Sequence, residues 1–193
     1  PKTNISNSDI LFFKSIIKEG HEIGGHTTRH DNMRNMTNHE IDKDCKEWIN
    51  IMTHYKLIDI KNGLSFAYPY GHRPKSLDIL SKYFLGARST NFGLDDITPK
   101  NLYRLRAINI DDKTTLRSLN NKVRDAIRDK KIIIEAGHGI KDECWRPINE
   151  KIILKHFDFV ESNQSVLWCT TMLDIIKYII QRKNIYIKSE QVN

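Results

Sequence analysis

Apolar and polar positions follow two periods along the chain, and the switches between them mark its elements. From Asp9 to Glu19 the apolar residues recur on one helical face, and Gly20 supplies a stop signal. Thr37-Asn38-His39-Glu40 is a capping box, in which the threonine and glutamate side chains satisfy each other's backbone amides at a helix start. Behind it Ile41, Cys45, Trp48, Met52 and Tyr55 fall three and four apart, which predicts an amphipathic helix. Leu64–Tyr68 reads as a short strand cut off by Pro69, and Pro74 opens a predicted helix through Leu77, Leu80 and Tyr83. Strands are expected over Phe84–Arg88 and Leu105–Ile110. A helix on Leu116, Leu119, Val123 and Ile127 then leads into a strand over Lys131–Ala136. The last elements are a helix around Ile153, Phe157 and Val160, a strand over Ser165–Cys169 and a helix from Thr170 to Arg182. The tail, Ser189–Asn193, is expected to fray.

Strands alternating with helices need crossover connections, hence parallel pairing and an α/β class. No repeat, low-complexity tract or linker interrupts the pattern, and 193 residues suffice for a real core. The chain therefore reads as one domain, residues 1–193. No apolar run is long enough to span a membrane.

The chain is moderately basic. Lysine and arginine outnumber the acids 31 to 24, for a net charge of +7. That balance favours anionic partners such as an acidic glycan, an envelope surface or nucleic acid. The basic residues are scattered rather than blocked, so no nucleic-acid partner is expected. The pattern specifies no oligomeric state. Cys45, Cys144 and Cys169 are widely spaced and form no CxxC pair, which argues against a disulfide framework. Cys45 and Cys169 lie among apolar neighbours and are expected to be buried. Pro1-Lys2-Thr3-Asn4 lacks the charged start and apolar run of an export signal.

Eight histidines are the main candidates for chemistry. His39, His54 and His156 sit in helical patterns and are expected at surface or packing positions, while His72, just after a turn, is undecided. His26 and His30 differ: at i and i+4 on a helical turn they share a face and can converge on one metal. Gly24 and Gly25 before them allow close backbone approach. The spacing alone also fits a pair that only caps or solvates a helix.

The segment Gly20-His21-Glu22-Ile23-Gly24-Gly25-His26-Thr27-Thr28-Arg29-His30 resembles the second motif of the polysaccharide deacetylases, the carbohydrate esterase family four group. That resemblance implies that His26 and His30 bind Zn2+ or another divalent transition metal. Phe66-Ala67-Tyr68-Pro69-Tyr70-Gly71 resembles the third motif. It implies a groove at Pro69 that takes substrate, with the Tyr70 backbone N–H facing the acetyl oxyanion as a fixed dipole. Many members carry an arginine where this chain has Ala67. Lys131-Ile132-Ile133-Ile134-Glu135-Ala136-Gly137-His138-Gly139-Ile140 resembles the fifth motif, which casts His138 as the general acid for the leaving amine.

Trp145 is a candidate wall of the sugar groove, although packing is the competing role for it and for Trp168. Ser165–Thr171 resembles the closing strand and helix of many members. The fourth motif is not recognisable: Asp111 and Asp112 lie in its interval without a following tryptophan and read as a turn after Ile110. The paired aspartates of the first motif have no counterpart, so the chain is expected to begin a few dozen residues into a family domain. Asp31, beside His30, is a candidate substitute for the missing ligand. The resemblance implies a distorted (β/α) barrel of polysaccharide-deacetylase type, incomplete at its N-terminus. The implied activity is metal-dependent hydrolysis of N-acetyl, or O-acetyl, groups on a polysaccharide or glycan. The alternative is a catalytically inactive glycan-binding homologue. Relatives are often extracytoplasmic.

Overall fold

Each of the first four long helices begins where a side chain takes over amides that the helix itself leaves unpaired. In the computed structural model, which describes residues 5–140 and 144–190, Ser6 and Asp9 form a capping box ahead of α1 (Asn7–Lys18). Thr37 and Glu40 form the predicted box ahead of α2 (Asn38–His54). Thr115 and Ser118 do the same for α3 (Leu116–Asp129), and Asn149 caps α4 (Glu150–Glu161). The last helix, α5 (Met172–Glu190), runs on into the tail that was expected to fray, and residues 191–193 lie outside the described residues.

The described residues fall into two units. One takes in the chain through Ser89, Asn101–Arg104 and the residues from Thr171; the other takes in Thr90–Lys100 and Leu105–Thr170. In the first unit β1 (Ser65–Ala67) runs parallel to the start of β2 (Gly86–Phe92), with Ser65 against Gly86, Phe66 against Ala87 and Ala67 against Arg88. Phe66 and Ala87 belong to the apolar core with Trp48, Ile41, Cys45, Leu80 and Phe84. Side chains alternate across a strand, so Ala67 and Arg88 point to the opposite face.

Gly25 adds one bridge to this edge: its amide donates to Ser65 at 2.9 Å and its carbonyl accepts from Ala67 at 2.8 Å. A Cβ on Gly25 would lie 2.6 Å from ring carbons of both Phe66 and Phe84, so only glycine fits this approach. Glu22, just before it, accepts from the Ser65 hydroxyl and from the Leu173 amide in the first turn of α5. A carboxylate is favoured at a helix N-terminus, and this one ties the candidate metal segment to its neighbours.

In the second unit β4 (Leu105–Asn109) runs parallel to β6 (Glu135–Ala136), while β3 (Asp95–Asp96) runs antiparallel to β5 (Lys131–Ile132). Helices α3 and α4 pack together over Ile108, Ile110, Leu119 and Ile153. His156 is fully buried here, with Nδ1 2.7 Å from Asn120 Oδ1 and Nε2 3.1 Å from both Glu135 oxygens. It is a packing residue with both ring nitrogens engaged.

Four expectations need correction. The helix opened by Pro74 is only a 3-10 turn at Leu80–Lys82, because Ser76 and Asp78 bond each other locally and draw the backbone away from a helix. The strand Lys131–Ala136 breaks after Ile132, since its halves pair with different strands in opposite senses. Ser165–Cys169 is not a strand: the amides of Val166 and Leu167 both donate to the Asn163 carbonyl, continuing the turns that end α4. Cys169 is accordingly exposed, not buried, and so are Val166, Trp168 and, on α4, Phe157.

Cys45 is buried as expected, and burial, reinforced by Asp44 and Asp42, pushes its thiol from about 9.0 up to about 12. The neutral thiol is therefore the native form. Its contribution to stability is fully present below the unfolded value and is lost as pH rises from there towards 12. A thiol-disulfide reagent at pH 8 is expected to label Cys169 rapidly and Cys45 only after unfolding, as read by peptide mass mapping. Equal labelling rates in the native protein would contradict the packing of α2.

Candidate active site

The segment carrying His26 and His30 is a loop, not the helical turn that the spacing suggested. Thr27 and His30 both lie in the left-handed region, with φ of 61° and 60°. Such backbone is uncommon for residues other than glycine, and the surrounding structure must hold it. The hold comes from α2: the buried carboxylate of Asp44 accepts from the Thr28 amide at 3.0 Å and from its hydroxyl at 2.5 Å. The Asp31 amide donates to the Thr27 hydroxyl at 3.2 Å and closes the loop. Asp44 was not singled out in the sequence, although an acid next to Cys45 on the packed side of a helix is a readable signal.

This loop brings the two imidazoles together at 4.8 Å between ring centroids, edge to face. His26 Nδ1 lies 2.7 Å from the Ala67 carbonyl oxygen. A carbonyl can only accept, so Nδ1 carries the proton and the lone pair of the ring sits on Nε2. That tautomer is the one a metal-binding histidine needs, with its other nitrogen oriented by a backbone oxygen. The ring of Tyr70 stands 4.6 Å from His30, edge to face, and is 59% exposed.

Tyr70 itself has φ 56° within the turn Pro69–Gly71. The amides of Gly71 and His72 bond inside that turn, to Tyr68 and Pro69, and the turn makes no use of the Tyr70 amide. Pro69 is fully buried, which makes it the turn's foundation rather than an exposed contact for substrate. His26, His30 and Tyr70 are thus brought together in the first unit. His72 follows at 6.2 Å from the Tyr70 ring, its buried Nδ1 without a hydrogen-bond partner among the described residues.

The pair suits a divalent transition metal in ligand type, and His26 suits it in tautomer as well. A catalytic zinc site ordinarily takes three protein ligands and a water. Among the described residues no third histidine, cysteine, aspartate or glutamate joins His26 and His30 in a metal-competent cluster, so Asp31 does not complete the set.

In the second unit His138 follows β6 directly and is exposed, with the Trp145 ring 4.8 Å away at 86°. Trp145 is 67% exposed, so it is not the packing residue that competed with its groove role. The next residue holds it: Arg146, with φ 52°, lies 5.6 Å from the indole centroid. Its guanidinium pairs with Asp111 and, at 3.4 Å, with Asp112. The two aspartates do form the expected turn, Asp111 accepting from the Lys113 amide, but they also anchor the arginine behind Trp145. Nothing in the sequence spacing links positions 111 and 146.

Residues 7–86 match the family model described as polysaccharide deacetylase. Among solved structures, the Xyl-CE4 domain of a multidomain xylanase from the hindgut metagenome of Trinervitermes trinervoides superposes with a TM-score of 0.53 at 13% identity, covering 94% of this chain and 74% of that one. No protein of curated function matches the chain. The fold is therefore α/β, similar to that of this Xyl-CE4 domain and of the incomplete distorted-barrel type. Residues 7–86 are thus similar to the polysaccharide deacetylases, a group of hydrolases acting on carbon–nitrogen bonds other than peptide bonds.

Proposed function

We propose that the protein is a metal-dependent deacetylase that removes acetyl groups from an N-acetylated polysaccharide or glycan. The observation that supports this best is the His26–His30 pair, with the Ala67 carbonyl setting the His26 tautomer and Tyr70 beside His30. His26 and His30 would hold the metal, Zn2+ or another divalent transition ion, which when bound polarises the acetyl carbonyl and makes water a better nucleophile.

The other roles fall to the chain. The Tyr70 amide donates to the carbonyl oxygen as it gains charge, in a turn already set for it, so little reorganisation is needed at the moment of reaction. Water oxygen bonds to the acetyl carbon, the carbon–nitrogen bond breaks, and His138 gives its proton to the departing nitrogen; the two protons of the water pass to solvent, which returns one to His138, leaving acetate and a free amine. The exposed face of Trp145, steadied by Arg146, offers a flat apolar surface for a pyranose ring.

A second reading, glycan binding without turnover, is favoured by one observation: the described residues supply two metal ligands rather than three. Acetate release from acetylated chitooligosaccharides separates the readings. The deacetylase reading expects release that a chelator abolishes and added Zn2+ or Co2+ restores. Oligosaccharide binding with no release at any metal concentration would overturn it.

A further inference from the structure

Arg88 lies on β2 in register with Ala67 of β1, on the face opposite the Phe66–Ala87 core. The carbonyl of Ala67 is the one that orients His26, and the carbonyl of Arg88 accepts from the Tyr68 amide at 3.1 Å. Neighbouring strands stand roughly 4.8 Å apart, so this arginine is rooted one strand away from the His26 anchor. Its side chain is half-buried. Burial holds the guanidinium below the ordinary arginine value, and no charged neighbour among the described residues offsets that cost. Arg106, Arg128 and Arg146 all have carboxylate partners. Cations withdrawn from water are ordinarily paired, and the planar fork of arginine matches a carboxylate at two points.

We infer that Arg88 is a carboxylate-binding residue of the candidate active site, and that its partner is carried by a ligand. The carboxylate is either free acetate, the product of the proposed reaction, or the acid group of a glycan bearing uronic or similar acidic sugars. The acetate source rests on the deacetylase reading. The binding itself does not, because it can be measured without turnover. An acidic glycan also agrees with the net charge of +7.

The test is the thermal unfolding midpoint of the full chain titrated with sodium acetate, sodium glucuronate or sodium chloride at equal ionic strength. A ligand that binds the folded state raises the midpoint with a saturable dependence. Acetate and glucuronate are both expected to raise it beyond chloride if the site takes any small carboxylate. Glucuronate alone will do so if the site reads the acid group of a sugar. Arg88→Gln is expected to weaken the apparent affinity at least about tenfold, as for loss of a charged hydrogen-bond partner. Arg88→Lys, which keeps charge without the fork, should fall between, and it serves if the glutamine variant does not fold. An equal rise with chloride, or an unchanged carboxylate response in both variants, would overturn the inference. Carboxylate binding that persists in a chain releasing no acetate would refute the deacetylase reading and leave this one standing.

Discussion

Replacing His26 with alanine is expected to lower acetate release at least about a hundredfold while leaving the fold intact. Losing even an outer-shell partner of a metal ligand commonly costs 10–100-fold, and His26 is proposed as a ligand itself. Its ring is half-buried at the edge of the first unit's core and is anchored to the Ala67 carbonyl, so truncation removes little apolar packing. The effect should appear in kcat, and added metal should restore only part of it. His26→Gln, which can keep a hydrogen bond to the Ala67 carbonyl without supplying an imidazole, should be as inactive as the alanine variant. Circular dichroism and thermal unfolding alongside the assay separate a lost ligand from a lost fold. Full activity in either variant would remove His26 from the site.

The second large effect concerns His138. A positioned general acid contributes about 10²–10⁴-fold, so His138→Ala should lower kcat by that order with a much smaller change in KM. Its ring is exposed after β6 and touches Trp145, so little stability is at stake. The clearest signature is chemical: substrates whose leaving group needs no protonation, such as activated aryl acetates, should lose far less than an N-acetyl substrate does. A uniform loss on both substrate types would assign His138 to substrate placement instead.

The parts of the fold that could be read directly are those governed by local chemistry. Thr37 and Glu40 cap α2 as the pattern required, and Ile41, Cys45 and Trp48 are buried on its inner face. Pro69 ends β1 and starts the next turn. Long-range bonding decided the rest. The run Lys131–Ala136 looks continuous in sequence, yet its halves answer to different partner strands. Val166 and Trp168 have the residue types of a strand, but the Asn163 carbonyl captures the amides that a strand would need.

The site divides in the same way. His26, His30, Tyr70 and His138 stand out by motif, because their residue types and order survive in the linear chain. The spacing of His26 and His30 suggested a helical turn, whereas their convergence comes from left-handed backbone at Thr27 and His30 and from Asp44 on another element. No periodicity rule encodes that. Arg88 was silent for a related reason: only strand register places it beside Ala67.

The proposed activity rests above all on His26 and His30 forming a metal site. Calorimetric titration of the metal-stripped chain with Zn2+ tests it without reference to any substrate. One equivalent should bind to the native protein, with the affinity falling at least about tenfold in His26→Ala and in His30→Ala, as for loss of a coordinating or orienting group. His54→Ala, on the exposed end of α2, should leave it unchanged. Equal affinity in the native protein and in both site variants would contradict the account.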